Sequence, residues 1–204
     1  MNAKATSSEQ RKRAITRADL LPMDQYAKVR KERRGAALQV KQHRRVAVGP
    51  YASFYFECYE TMLHQVHEML FVEKGGEEQI AGELAAYNPL IPQGRELVAT
   101  LMFEIEDPGQ RSRILVTLGG IEQVITLTFS GETVKAVAET EVERTTAEGK
   151  TSAIHFVHFP FTEAQAARFK VAGTRAMLAF EHANYGHMAA IPETVRATIA
   201  GDLD

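Results

Sequence analysis

Apolar positions along the chain recur with two periods, one helical and one extended. Between Tyr59 and Lys74 they fall at Tyr59, Leu63, Val66 and Leu70, the spacing of one helical face, and Gly75-Gly76 closes that helix. A second helix is expected from about Glu77 to Tyr87, stopped by Asn88-Pro89. From Asp24 to about His43 the residues are good helix formers, but Tyr26, Val29, Arg33 and Ala36-Ala37 alternate with charges, so the apolar stripe is narrow. Such a helix lies on a surface or packs on a partner. Two start signals precede it: the box-like Thr16-Arg17-Ala18-Asp19, and Asp24 after Pro22.

Extended periodicity governs other stretches. Val46 to Glu57 reads as strand, broken by Gly49-Pro50, and Arg95 to Ile105 is a strong strand candidate. Asp107-Pro108 caps and opens a short helix that Gly119-Gly120 ends. Residues 121–129 and 132–138 alternate around Ser130-Gly131, a hairpin signal. Ser152 to Phe159 is a further strand, and Thr162 with Gln165 forms a capping box for a short helix. Strands over 174–181 and 187–191 flank the turn Ala183-Asn184-Tyr185-Gly186, and Pro192-Glu193 starts a last helix. The strands cluster without regular βαβ alternation. The expected class is therefore α+β, with a mainly antiparallel sheet, flanking helices and a basic N-terminal helix. Residues 1–15 are polar and aperiodic and read as a disordered tail; residues 16–204 read as a single domain.

Composition adds exclusions. The chain has 204 residues, 45% hydrophobic and 25% charged, an ordinary globular balance. No stretch has the length of about 18 apolar residues that a membrane span needs, and no apolar segment follows the first basic residues as in a signal peptide. Cys58 is the only cysteine, which excludes an internal disulfide and a four-cysteine zinc site and suits the cytoplasm. The net charge of −2 conceals a split. Residues 1–45 hold thirteen Lys/Arg against four Asp/Glu; residues 46–204 hold eleven against twenty-two. This asymmetry suits either a nucleic-acid-binding arm or a basic helix lying on the acidic body of its own fold.

The histidines are the leading candidates for chemistry. His155 and His158 lie in AIHFVHFPF, and His182 and His187 flank the turn in EHANYGHMA. Converging imidazoles bind transition metals such as iron or zinc. His182 and His187 can approach across their hairpin. His155 and His158 face opposite sides of a regular strand, so both can join one site only if a bulge re-aims one of them. The expected ligands are thus His158, His182 and His187, with His155 as a fourth or supporting partner; the bland alternative is a set of structural histidines among aromatics. Glu104 or Glu106 can add a carboxylate, though nothing in the sequence places either nearby.

Other constellations are weaker. Glu57, Glu60, His64, His67 and Glu68 share the face opposite the apolar stripe of their helix, read as a solvated face, since a carboxylate-bridged di-iron site needs Glu-x-x-His on two helices. Cys58, before that helix, is read as inert because neighbouring carboxylates oppose a thiolate. No G-x-S-x-G elbow, Walker loop or G-x-G-x-x-G occurs. The basic clusters Arg11-Lys12-Arg13, Lys28 to Arg34 and Lys41 to Arg45 can contact phosphates, but only Tyr26 is available to stack on a base.

Four segments carry a family resemblance: RRVAVGPYASFYFECYETM (44–62), ELAAYNPLIPQGRELVATLMFEIEDP (83–108), SAIHFVHFPFT (152–162) and EHANYGHMAAIPE (181–193). Over roughly residues 15–204 the chain resembles an uncharacterised bacterial family, domain of unknown function 3501. Members often lie near rubrerythrin-like and iron–sulfur oxidoreductase proteins. The resemblance therefore implies, by association, a role beside iron or peroxide chemistry with a redox protein as partner. Two functions follow as expectations. One is a metal-binding protein using His155, His158, His182 and His187. The other is a non-enzymatic interaction module whose basic helix docks an acidic protein or nucleic acid.

Overall fold

The computed structural model describes residues 11–139 and 150–204. Among them are six α-helices and nine strands in two antiparallel sheets. The long basic segment forms α1 (Met23–Gln42), and Thr16-Asp19 caps only a single 3-10 turn before it. Strands β1 (Arg45–Val48) and β2 (Ala52–Phe56) form a hairpin turned at Gly49-Pro50. Helix α2 (Tyr59–Glu73) starts on extended Cys58, with Thr61 Oγ1 accepting the Cys58 N–H at 2.9 Å, and ends on left-handed Lys74. Helix α3 (Gly76–Tyr87), strand β3 (Glu96–Phe103) and helix α4 (Pro108–Val116) follow. The Asp107 carboxylate caps α4 by accepting the Gln110 N–H at 2.5 Å.

The expected 132–138 strand is two strands. β4 (Ile125–Phe129) pairs with β5 (Glu132–Lys135) in one sheet, while β6 (Val137–Ala138) pairs in the other, so the chain changes sheets at buried Ala136. Ser130 and Gly131 both have positive φ, 47° and 76°, as a two-residue turn matching the strand twist requires. The remaining elements are β7 (Ile154–Pro160), α5 (Glu163–Lys170), β8 (Ala176–His182), β9 (Tyr185–Ala190) and α6 (Glu193–Ala200). The last hairpin is tighter than its sequence suggests: His182 pairs with Tyr185, leaving Ala183-Asn184 as the turn.

Sheet order is β1-β2-β3-β7-β6 in the first sheet and β5-β4-β8-β9 in the second. The sheets stack face to face. Phe54, Leu101, Phe103, Val157 and Phe159 from the first meet Ile125, Leu127, Phe129, Leu178 and Phe180 from the second in one hydrophobic cluster. The Phe54 and Phe180 rings lie 5.3 Å apart. Helices α5 and α6 add Phe169, Val195 and Ile199 to the same core. The other face of the first sheet is covered by α2, whose Met62, Val66 and Leu70 pack with Val98, Leu90 and Ile91. Each such side chain contributes about 1.5–3 kcal/mol when fully buried. Helix α1 lies outermost, with only Tyr26 and Ala37 buried.

The N-terminal segment is tied to this body from residue 11 onward. Ile15 is buried, its N–H donates to Asn88 Oδ1 at 2.7 Å, and Arg11 reaches Asp202. Residues 1–10 of the expected tail lie outside the described residues.

Candidate functional site

The structure separates the four histidines proposed as ligands. His155 points between the sheets, fully buried, with its ring edge-on to Phe103. Its Nε2–H donates to Ser152 O at 2.9 Å, and its Nδ1 lies 3.9 Å from Glu122 Oε2. His158 faces the opposite side of β7, the side covered by helices, because β7 is regular and has no bulge to re-aim it. His158 Nδ1 bonds Glu96 Oε2 at 2.9 Å, and Glu139 Oε1 stands 3.8 Å from Nε2. His182 and His187 lie on one face of the β8–β9 hairpin, but Tyr185 and Phe180 fill the interior of that face. His182 Nε2 donates to Gly119 O at 3.2 Å, while His187 is exposed, edge-on to the Tyr185 ring. Among the described residues, no three His, Cys, Asp or Glu side chains gather so as to hold a metal ion. The donor set expected for iron or zinc therefore does not fit one centre. Glu104 is also elsewhere, accepting from Arg45, Ser53 and Tyr55.

The pairing of His158 with carboxylates has a measurable consequence. The Glu96 hydrogen bond holds its pKa above the ordinary 6.5, with Glu139 acting in the same direction. A raised folded value means that the protonated pair stabilises the fold fully below about pH 6.5 and loses this contribution as pH rises through the folded value. The stability gap between wild type and His158→Gln should be about 1.5 kcal/mol in mild acid, the lower end of the range for a hydrogen bond to a charged group, because the pair is only half-buried. It should shrink above neutrality in urea titrations at several pH values. A gap independent of pH would show that His158 stays neutral.

The polar face of α2 is mostly covered, contrary to its sequence reading. Helix α1 lies on His64, His67 and Glu68, and Glu57, just before α2, turns into the fold; only Glu60 stays exposed. Glu57 is buried and accepts from Thr61 Oγ1 and Thr100 Oγ1, both at 2.6 Å. His67 is buried, stacked on Tyr26 at 4.7 Å; its Nδ1–H donates to Leu63 O and its Nε2 accepts the Leu21 N–H at 3.0 Å. Those partners fix the neutral tautomer, and burial lowers the His67 pKa. Glu68 takes both guanidinium branches of Arg30, at 2.9 and 2.8 Å, and the Tyr26 hydroxyl at 2.7 Å. The Arg30 bonds hold its carboxyl down to about 2. This network fastens α1 to α2. Sequence periodicity missed it because a polar stripe looks the same whether water or another polar helix faces it.

Burial pushes the Cys58 thiol up to about 11, which agrees with the inert reading.

The basic N-terminal third divides into two sets. Among described residues 11–45, seven cations form ion pairs: Arg11 and Arg44 with Asp202, Lys12 with Asp19, Arg13 with Asp204, Arg17 with Glu77, Arg30 with Glu68 and Arg45 with Glu104. Lys28, Lys31, Arg33 and Arg34 on α1 are exposed and Lys41 is half-buried, and none of the five has a described acidic partner; Lys28, Lys31 and Arg34 share the outer side of the helix, while Arg33 lies on the side of Tyr26 and His67. Leu38, one turn beyond Arg34 on the same outer side of α1, is 67% exposed. Glu32 is the single acid within residues 28–34.

Fold and site together define an α+β protein of two stacked antiparallel sheets, covered by a helical layer whose outermost helix carries unpaired cations. No described helix is long and apolar enough to cross a membrane. The family model described as protein of unknown function (DUF3501) matches residues 14–203, and the chain belongs to that family. It is similar over 94% of its length to all of a novel protein of unknown function from Burkholderia pseudomallei K96243, known from a crystal structure, at 39% identity and a TM-score of 0.86. No curated protein matches the chain.

Proposed function

We propose that the protein is a non-enzymatic interaction module that docks an acidic protein surface through the outer face of α1, within a reducing compartment such as the cytoplasm. The observation that carries this reading is the set of three exposed cations on that face, Lys28, Lys31 and Arg34, that the body leaves without acidic partners while it pairs Arg30 and Arg44. Leu38 supplies an apolar anchor beside them, the combination of apolar centre and charged rim that protein interfaces use. Nucleic acid suits this face less well. It carries no aromatic side chain for stacking; Tyr26, the one aromatic of α1, is buried against α2. A metal-dependent role has less support, since the four histidines face different surroundings.

The test is fluorescence anisotropy with labelled poly-glutamate and with a duplex DNA of similar charge, across a salt series. Poly-glutamate binding should weaken with salt and fall about tenfold or more in Lys28→Glu/Lys31→Glu/Arg34→Glu, whose circular dichroism should match wild type because these side chains are exposed. Unchanged binding by the triple variant removes α1 from the interface, and tighter binding of the DNA than of poly-glutamate turns the reading to nucleic acid.

A further inference from the structure

Away from the outer face of α1, a cleft of about 790 Å³ opens between the N-terminal segment, the end of α1, the start of α2 and the end of α6. Its volume is that of pockets that hold small organic ligands. Arg11, Lys12, Arg13, His43 and Arg44 line it, against the carboxylates of Glu60 and Asp202.

The hydrogen-bonding inventory of this lining is lopsided. Arg44 is buried and binds Asp202 through both branches, at 2.7 and 3.0 Å, so it serves as a fixed charge. Arg11 shares the same carboxylate through Nη1 at 3.0 Å and is 58% exposed, which leaves its other donors free. One carboxylate thus answers two guanidinium groups. Lys12 and Arg13 are answered by Asp19 and Asp204, so the donors left over are chiefly those of Arg11 and His43. Arg13 Nη1 is buried and without a partner among the described residues. The first turn of α2, at Tyr59 and Glu60, opens into the same space, and its cap is Cys58, whose thiol is a weak acceptor. Against these donors stands Glu60, which partly offsets the positive potential. Half-buried Val40 and Tyr59 give the cleft an apolar side, backed by buried Ile91 and Pro92.

We infer that this cleft binds a small organic oxyanion, a phosphate- or carboxylate-bearing molecule with an apolar or flat body. The oxyanion accepts from Arg11, His43 and the α2 N-terminus, and the body lies against Tyr59 and Val40. Guanidinium forks recognise phosphate and carboxylate by the same paired donors, and Asp202 already occupies one such fork. The site is independent of docking through α1.

The experiment is calorimetric titration of the full chain at low ionic strength with inorganic pyrophosphate, ADP and citrate, which separates phosphate from carboxylate and either from the apolar body. At least one should bind saturably at one site, with ADP tighter than pyrophosphate if the apolar side contributes. Arg11→Ala and His43→Ala, both at exposed side chains, should each weaken binding about tenfold, the loss expected for one charged hydrogen bond. Lys31→Ala on α1 should leave it unchanged. In wild type, ligand should shift the amide resonances of Tyr59 to Thr61, a readout that needs no variant. Absence of saturable binding by all three probes overturns the proposal. So does equal weakening by Lys31→Ala, or amide shifts confined to other segments.

Discussion

Replacing Asp202 by alanine should lower the unfolding free energy by about 3–5 kcal/mol, the range for removing one partner of a buried ion pair. The side chains of Arg44 and Asp202 are 8% and 7% exposed. Without the carboxylate, the Arg44 guanidinium keeps only the Glu57 carbonyl, 3.3 Å from Nη1, as a described acceptor. The penalty is chiefly that of a buried charge left without its counter-ion, so removing both charges should be milder. Arg44→Met/Asp202→Leu should recover most of the loss, because hydrophobic replacement of a buried pair is often close to neutral. Equilibrium urea unfolding of the two single variants and the double variant measures the coupling directly. A loss below about 1 kcal/mol for Asp202→Ala would mean that Arg44 swings out to water, as exposed pairs do.

Tyr185→Phe removes one oxygen atom and should destabilise by about 3 kcal/mol. The hydroxyl donates to Val48 O at 2.8 Å and accepts the Tyr51 and Ala52 N–H groups, each at 3.0 Å. It is therefore a staple from the β8–β9 hairpin of the second sheet to the β1–β2 turn of the first. Phenylalanine keeps the ring packing against Phe103 and Phe180 but strands these backbone groups, and Ala52 is almost wholly buried. The turn has little freedom to compensate. Gly49 sits at φ 69°, and a Cβ there would lie 2.7 Å from the His187 ring. Thermal unfolding should show the loss, and amide exchange should show the 48–52 turn opening first. A loss within 0.5 kcal/mol of zero, the scale of surface substitutions, would show water replacing the hydroxyl.

These two interactions explain why parts of the molecule were legible in the sequence and others were not. The helix over Tyr59–Glu73, the Ser130-Gly131 hairpin, and the caps at Asp107 and Thr162 depend on neighbours within a few residues, and the sequence displays those neighbours directly. The class, α+β with antiparallel pairing, followed from the order of such elements. Assembly of a site was harder to read. The crowding of four histidines within residues 155–187 suggested one centre, but β7 alternates them to opposite faces and the β8–β9 hairpin gives its interior to Tyr185 and Phe180. The polar stripe on α2 suggested water, but α1 covers part of it, and His67 and Glu57 turn into the fold.

By itself, then, the sequence determined the type and order of most helices and strands, and that a positive segment precedes a negative one. Propensity, capping and periodicity are local and act before the chain is folded. Only the tertiary structure decided the change of sheet at Ala136, the burial of Arg44 on Asp202 across 158 positions, and which cations of the basic segment are spent on the body. Charge pairing depends on distances of a few ångströms between segments far apart in sequence. The cations left unpaired on α1 are therefore a property of the packed fold rather than of its composition.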